Sequence, residues 1–276
     1  MGSKQIMKYF LENLENYVGE IGGHHSDNDS TTEDGNHGIA LHIFDNIGIQ
    51  HGYVLDIGAF SYNASNVTPI MDKYDIDGLL LDGQNKYNDN RITKVWLEPD
   101  NVVNILKSHD CPKNLDYISI DIDNMDYWVL KSVLEGGYSS NLIVLEFNPI
   151  FNNDESYTKK YQKGAKKKDK QTTLSSNYGA SLHAFQKLLS NYGYRLIHVV
   201  LQNEYEQPSS NNAFFIKDEF DTDNLFEDGA TTINKVFTTP FVEKFKKKGN
   251  NSKFKTTDMN VVKDSLIKSF VKVWEY

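Results

Sequence analysis

Residues 53–83 read YVLDIGAFSYNASNVTPIMDKYDIDGLLLDG, and this stretch decides the fold. Two short apolar runs, 53–56 and 78–82, each end in an acid with a glycine close behind, and a helical segment at 66–75 separates them. Strands that are apolar throughout and alternate with helices predict a parallel sheet buried on both faces, and therefore a doubly wound α/β fold. The alternation continues with strands predicted at 92–97, 117–121 and 142–146 and with helices at 99–108 and 125–135.

The rest of the chain divides into three predicted segments. An N-terminal helix and lid-like loop (1–36) precede an α/β domain (37–220), which a lysine-rich insertion (150–178) interrupts. The C-terminal extension (221–276) ends in a predicted amphipathic helix at 259–273, which could pack on the sheet or on a second chain and so leaves a homo-oligomer open. The remaining predictions are helices at 4–18, 38–48 and 179–192, an exposed lysine-rich loop at 159–170, and strands at 194–201 and 212–216, which would complete a seven-stranded sheet.

Composition excludes several classes of protein. The 276 residues include one cysteine, Cys111, so a disulfide scaffold and a zinc site built on several thiolates are both excluded. No apolar run approaches the roughly 20 residues of a membrane span, and the N-terminus lacks the apolar core of a signal peptide. The net charge is −9 and only two of the 29 basic residues are arginines, so we expect no nucleic-acid partner. We expect a soluble protein of a reducing compartment, the cytoplasm.

Acidic residues close four of the predicted strands. They are Asp56, Asp82, Asp121 and Glu146, and the carboxyl ends of parallel strands meet at one edge of a sheet, where ligands of such folds bind. Acids gathered there repel each other and lose solvation, which a purely structural sheet has no need to accept. The pattern predicts a binding site for a cation or a hydroxyl-rich ligand.

The first two of these strand ends allow two interpretations each. Gly58 could let a ligand approach the backbone after Asp56, or could belong to an ordinary strand-to-helix turn. Asp82 could accept hydrogen bonds from ribose hydroxyls, with Gly83 leaving room for the ligand, or could only hold a turn. The chain has no GxGxxG and no GxxxxGK[ST] motif, which argues against pyrophosphate and nicotinamide dinucleotide binding.

The densest acidic cluster lies at 121–126. Asp121 and Asp123 share one face of the extended chain, and Glu146 and Asn148 end the next strand in the same manner. Oxygen ligands of this kind suit Mg²⁺, Mn²⁺ or Ca²⁺, and a carboxylate with a raised pKa could also act as a general base. The alternative is that Asp123 and Asp126 cap the following helix and only Asp121 faces a ligand.

Seven segments in order resemble the FkbM-like family of S-adenosylmethionine-dependent methyltransferases, of the class I Rossmann-like kind. The resemblance covers about residues 33–220, and its closest match is LDYISIDIDNMDYWVLKSV (115–133), against a family pattern that reads S-I-D-I-D-G-N-D-Y-W. The other segments are VLDIGAFSYNASN (54–66), GLLLDG (78–83), LEPDNVVNIL (97–106), IVLEFNP (143–149), YGASL (178–182) and NAFFI (212–216).

The resemblance implies a role for each strand end. The methionine end of S-adenosylmethionine would be lined by Asp56, Gly58 and Ala59, with Phe60 in the same turn. The ribose would be held by Asp82 with Gly83. The adenine would be flanked by the segment from Trp96 to Glu98. Asp121 would also touch the cofactor. The implied catalytic residues are Asp121, Asp123 and Glu146, and the implied ligands of a divalent cation, such as Mg²⁺, are Asp121, Glu146 and Asn148.

The function implied is O-methylation of a sugar, glycan or similar small polyol, by in-line methyl transfer with a carboxylate base or a metal ion. The chain departs from the family pattern at Ser61-Tyr62, where the family has D-G, and at Asn124, where it has glycine. These departures keep open a binding protein of the same fold with impaired catalysis. An NAD-dependent oxidoreductase is the third alternative.

Overall fold

The computed structural model describes residues 36–148, 151–152, 154–161, 163, 178–200, 211–220 and 270–273. The predicted helix at 4–18, the loop that follows it, most of the lysine-rich loop at 159–170, and the tail from 221 to 269 lie outside these residues. Within the described ranges, no helix has both the length and the apolar character needed to cross a membrane.

A seven-stranded sheet forms the centre of the molecule. Its strands are β1 (Tyr53–Ile57), β2 (Asp77–Asp82), β3 (Ile92–Lys94), β4 (Asn114–Ile120), β5 (Ser139–Glu146), β7 (Tyr194–Val200) and β8 (Asn212–Lys217), in the order β3-β2-β1-β4-β5-β8-β7. The first five strands in that order are parallel, while β8 runs antiparallel to both of its neighbours. The predicted doubly wound, mostly parallel seven-stranded sheet is therefore confirmed.

Helices cover both faces of the sheet because alternate strand residues point to opposite sides. On one face, α1 (Asn36–Ile47) and α2 (Thr68–Tyr74) pack over Val54 and Tyr117. On the other face, Leu55 and Ile57 contact the layer of α3 (Val102–Ser108), α4 (Asp126–Glu135) and α5 (Leu182–Ser190). Apolar residues at helical spacing, such as Ile39 and Ile43 in α1, make these contacts.

The prediction of a C-terminal helix at 259–273 is wrong for residues 270–272. Phe270–Lys272 form a strand, β9, which pairs antiparallel with β6 (Tyr157–Lys159) in a second, two-stranded sheet. A short apolar pattern fits a period of two as well as 3.6, and the edge of β6 supplies backbone partners that the sequence does not show. Lys159, predicted to lie in an exposed loop, is the last residue of β6.

Candidate functional site

A cleft of about 560 Å³ lies at the carboxyl edge of β1, β2, β4 and β5. Nine of the eleven site residues predicted from the sequence line it: Asp56, Gly58, Phe60, Asp82, Gly83, Glu98, Asp121, Asp123 and Glu146. The other two, Ala59 and Asn148, are buried and are not part of the lining. The parallel register brings these residues together, because each follows or ends a strand that runs in the same direction.

The cleft carries a strong negative charge. Six carboxylates line it, and Lys86 is the one basic side chain among the described lining residues. A phosphate or another anion would be repelled here, whereas a cation or a ligand rich in hydroxyl donors would be favoured.

Asp82 ends β2 and holds the turn that follows, which is one of the two roles that the sequence left open. Its Oδ1 accepts hydrogen bonds from the backbone N–H of Gln84 at 2.6 Å and of Asn85 at 2.5 Å, which fixes the turn after the strand. Its Oδ2 has no hydrogen-bond partner within the described part of the chain, so this oxygen is available to a ligand hydroxyl.

The two glycines of the site make room for the protein's own atoms. A Cβ at Gly83 would lie 2.6 Å from Cε3 of Trp96, and a Cβ at Gly58 (φ +101°) would lie 1.8 Å from the backbone oxygen of Asp121. Gly83 therefore seats the Trp96 indole, and Gly58 lets the turns after β1 and β4 approach each other. Both glycines also line the cleft, so the approach of a ligand to them stays a prediction.

Trp96 and Glu98 reach the cleft from the loop after β3, which ends at Lys94, three residues earlier than predicted. Asn101 holds this loop: its Nδ2 donates to the backbone oxygen of Trp96 at 2.9 Å, and its Oδ1 accepts from the Glu98 N–H at 2.8 Å. Sequence analysis missed Asn101, which lies before the first turn of α3.

Aromatic side chains form one rim of the cleft. Phe60, Tyr87 and Trp96 are the large apolar side chains that the described residues leave exposed. Phe60 and Tyr87 meet edge to face with ring centroids 5.4 Å apart, and Lys86 lies over both rings. Phe60 has φ 53°, a left-handed conformation that is costly for a bulky residue and is concentrated at functional sites.

Asp56 lies deeper than the other strand-end acids. Its Oδ2 accepts from the Ser65 hydroxyl at 2.5 Å, and only 2% of the residue is exposed. Burial raises the pKa of Asp56 to about 6, although hydrogen bonds from Ser65 and Ser119 oppose the shift. Ser65 was present in the family pattern, but Ser119 was missed because it lies inside the apolar run of β4.

A cluster of three carboxylates occupies the other side of the cleft. One oxygen each of Asp121, Asp123 and Glu146 lies within 4.8 Å of the others. Glu146 is buried, and this burial raises its pKa well above the usual value; the neighbouring charge of Asp121 and a hydrogen bond with it add to the shift. Asp121 and Glu146 are therefore coupled, and Glu146 holds its proton more tightly than an isolated glutamate does.

Asp126 and Asn148 stand behind this cluster. Asp126 is the first residue of α4, and its Oδ1 accepts from the Ile122 N–H at 2.9 Å, so it ties down the loop that precedes the helix. The Asn148 amide donates from Nδ2 to the Tyr178 backbone oxygen at 2.9 Å. The structure thus places Asp123 beside Asp121 and Glu146.

Comparison with protein-family models and with curated proteins finds no match. Solved structures with a similar fold include magnesium protoporphyrin IX methyltransferase from Synechocystis PCC 6803 with bound SAM, at 10% identity and a TM-score of 0.37, over 79% of this chain and 98% of that chain. Another is the 1,6-didemethyltoxoflavin-N1-methyltransferase of Burkholderia thailandensis with bound S-adenosylhomocysteine, at 9% identity and a TM-score of 0.39, over 77% of this chain and 87% of that chain. The fold class rests on the strand order of the chain itself.

Proposed function

We propose that this protein is an S-adenosylmethionine-dependent O-methyltransferase of the FkbM-like kind. The observation that carries the proposal is the cleft at the carboxyl edge of the sheet, with an acid at the end of β2 on one side and the cluster of Asp121, Asp123 and Glu146 on the other. The first side is suited to a nucleoside and the second to a hydroxyl group that loses its proton.

The cleft fits the cofactor in volume and in charge. About 560 Å³ lies within the range of small-molecule sites, and the six carboxylates favour a ligand with a positively charged sulfur. In this proposal Asp82 Oδ2 accepts from the ribose, while Trp96 and Phe60 offer aromatic surface to the base. Asp56 is held by Ser65 at the methionine end.

When bound, S-adenosylmethionine supplies a methyl group whose bond to sulfur breaks as the acceptor oxygen–carbon bond forms, and the electron pair returns to sulfur. The chain has to hold the acceptor hydroxyl at near-attack distance, roughly 3 to 3.5 Å, and to receive its proton. Asp121 lines the cleft beside Glu146, whose pKa burial raises, so we assign proton acceptance to this pair. Asp123 lies close enough to orient the same hydroxyl.

The same carboxylates fit a divalent cation. Asp121, Asp123 and Glu146 offer three oxygen ligands within 4.8 Å of one another, a donor set suited to Mg²⁺, Mn²⁺ or Ca²⁺. A bound cation would lower the pKa of an acceptor hydroxyl. Asn148, which the family resemblance implied as a ligand, donates from Nδ2 to the Tyr178 oxygen and could offer Oδ1 to the same cation.

The acceptor in this proposal is a sugar, glycan or similar small polyol. Its side of the cleft is lined by Asp121, Asp123, Asn124, Glu146 and Asn212, which accept hydrogen bonds or carry amides, and no basic side chain of the described lining lies among them. Neutral hydroxyl groups can donate to these oxygens, whereas a phosphorylated or carboxylated acceptor would meet like charge.

Isothermal titration with S-adenosylmethionine tests the cofactor side. Asp82→Ala should weaken binding by about 1–3 kcal/mol, because a hydrogen bond to a charged oxygen is lost. Asp77→Ala is the matched control, since Asp77 is exposed at the other end of the same strand. Absence of binding by the natural chain, or binding of NADH instead, would contradict the proposal, and equal affinities of the two variants would refute the role of Asp82.

Transfer of a radiolabelled methyl group to a panel of monosaccharides and their methyl glycosides tests the acceptor side. We expect transfer to neutral glycosides and none to the corresponding sugar phosphates. Chelation with EDTA decides between the two routes for the proton: full activity after chelation excludes an essential metal ion. Binding of S-adenosylmethionine without transfer to any of these acceptors would favour the catalytically impaired binding protein.

A further inference from the structure

We infer that the C-terminal strand β9 is a positioning element of the candidate active site, because a continuous ladder of backbone hydrogen bonds connects it to Asp123. This inference rests on the proposed function in assigning Asp123 to the acceptor side of the cleft.

The ladder begins at the end of the chain. β9 pairs with β6 at three positions, and the Val273 N–H donates to the backbone oxygen of Ser156 at 2.8 Å. Hydrogen-bonded pairs alternate along an antiparallel ladder, so Val271 and Thr158 form the next bonded pair. Thr158 is fully buried, and Val273 packs against the main apolar core, so β9 is part of the folded domain.

The other edge of β6 binds the segment 178–181. The Lys159 N–H donates to the Gly179 oxygen at 3.0 Å, and the Ser181 N–H donates to the Tyr157 oxygen at 2.8 Å. A bridge between Thr158 and Ala180 lies between these two bonds. β6 is therefore a central strand, with β9 on one side and residues 178–181 on the other.

Residues 179 and 180 then contact both strand ends of the carboxylate cluster. The Gly179 N–H donates to the backbone oxygen of Asp123 at 3.3 Å, and the Asn148 N–H donates to the Ala180 oxygen at 2.7 Å. Asn148 is two residues beyond Glu146 in the chain. The ladder thus ends on the loop that contains Asp123 and on the segment that directly follows Glu146.

Asp123 needs this support because its backbone is strained. It has φ 69°, and a non-glycine residue in the left-handed region costs energy that the surrounding structure must supply. The bond from Gly179 holds the carbonyl of this residue, and α4 adds a second tie to β6, since Trp128 Nε1 donates to the Lys159 oxygen at 2.7 Å. Loosening β9 should therefore let Asp123 relax and withdraw its carboxylate from the cluster.

A pair of proline variants tests this chain of bonds in the full-length protein. Val271→Pro removes a bonded N–H from the ladder, whereas Lys272→Pro places the same ring at the next position, where the N–H points away from β6. Val271→Ala controls for the lost side chain. Hydrogen–deuterium exchange measures opening at 122–126, at 156–159 and at 178–181, with the strands β1 and β2 as internal reference.

We expect Val271→Pro to raise exchange at all three segments by about tenfold, the equivalent of about 1.4 kcal/mol, and to leave β1 and β2 unchanged. In a titration, the affinity of Val271→Pro for S-adenosylmethionine should stay within about twofold of that of the natural chain. Its kcat for methyl transfer should fall by about tenfold. Lys272→Pro and Val271→Ala should match the natural chain in each measurement.

Three results would overturn the inference: faster exchange confined to 156–159, faster exchange that includes β1 and β2, or equal effects of the two proline variants. The exchange measurement needs neither cofactor nor acceptor. If the natural chain bound no S-adenosylmethionine and transferred no methyl group, the proposed function would fail while the role of β9 in holding Asp123 would still be decided.

Discussion

Asp116 shows how a single buried carboxylate can organise the chain before the first strand. Its two oxygens accept from the backbone N–H groups of residues 50 to 53, at 2.6 to 3.3 Å, and from Asn141 Nδ2 at 3.1 Å. These donors lie on the loop that enters β1 and on β5, while Asp116 itself lies on β4. One side chain therefore ties the loop to the two central strands.

Replacement of Asp116 by alanine should destabilise the fold. The substitution leaves several buried N–H groups without an acceptor, and we expect it to lower the free energy of unfolding by about 3 kcal/mol or more. Urea denaturation of Asp116→Ala beside Asp154→Ala, whose carboxylate is exposed, measures the effect. A loss below about 1 kcal/mol would mean that water replaces the carboxylate at little cost.

At the residue scale, the sequence predicted which residues lie together in the cleft, but it did not show which contacts they make there. The acids at the strand ends do share one cleft, because parallel strands place their carboxyl ends together. Gly58 and Gly83 line the cleft as predicted residues of the site, but they also accommodate the Asp121 oxygen and the Trp96 ring. No local pattern could show this, because the neighbours lie 63 and 13 residues away in the chain. Asp116 was missed for the same reason, since its partners are 25 and 63 to 66 residues distant.

At the element scale, buried parallel strands were the easiest to predict and short edge strands the hardest. β1, β2, β4 and β5 are continuous apolar runs, and their sequence alone indicates burial on both faces. β6 and β9 have three residues each, and each needs the other's edge to be a strand at all. Their pairing joins positions more than 100 residues apart, which a helical periodicity at 259–273 could not reveal.

The Asp123 side of the cleft contacts these elements that the sequence did not predict. Residues of the predicted insertion and of the C-terminal extension meet in the sheet of β6 and β9, directly behind the loop of Asp123. The opposite side, with Asp56 and Asp82, lies at the ends of β1 and β2, which were predicted. A motif search therefore recovers the side of the cleft built on buried parallel strands more readily than the side built on short edge strands.

At the scale of the whole molecule, the buried acids connect folding to pH. Burial raises the pKa of Asp56 to about 6 and that of Asp126 to about 7, and it raises the pKa of Glu146 as well. In the unfolded chain these groups would lose their protons near pH 4. The folded state therefore binds more protons than the unfolded state between about pH 4 and pH 7, so these groups make the fold less stable as the pH rises through that range.

Asp126→Asn isolates one of these contributions. Asparagine keeps an oxygen that can accept from the Ile122 N–H, but it does not ionise. The unfolding free energy of the variant therefore does not depend on the protonation of residue 126. Between about pH 5 and about pH 8, the natural chain should lose about 2–3 kcal/mol more unfolding free energy than Asp126→Asn. Urea denaturation of both chains at the two pH values measures the difference, and Asp123, which faces Asp126, is unchanged in both. Parallel losses in the two chains would show that Asp126 is ionised in the folded state, with its charge balanced by a proton or a cation in the neighbouring carboxylate cluster.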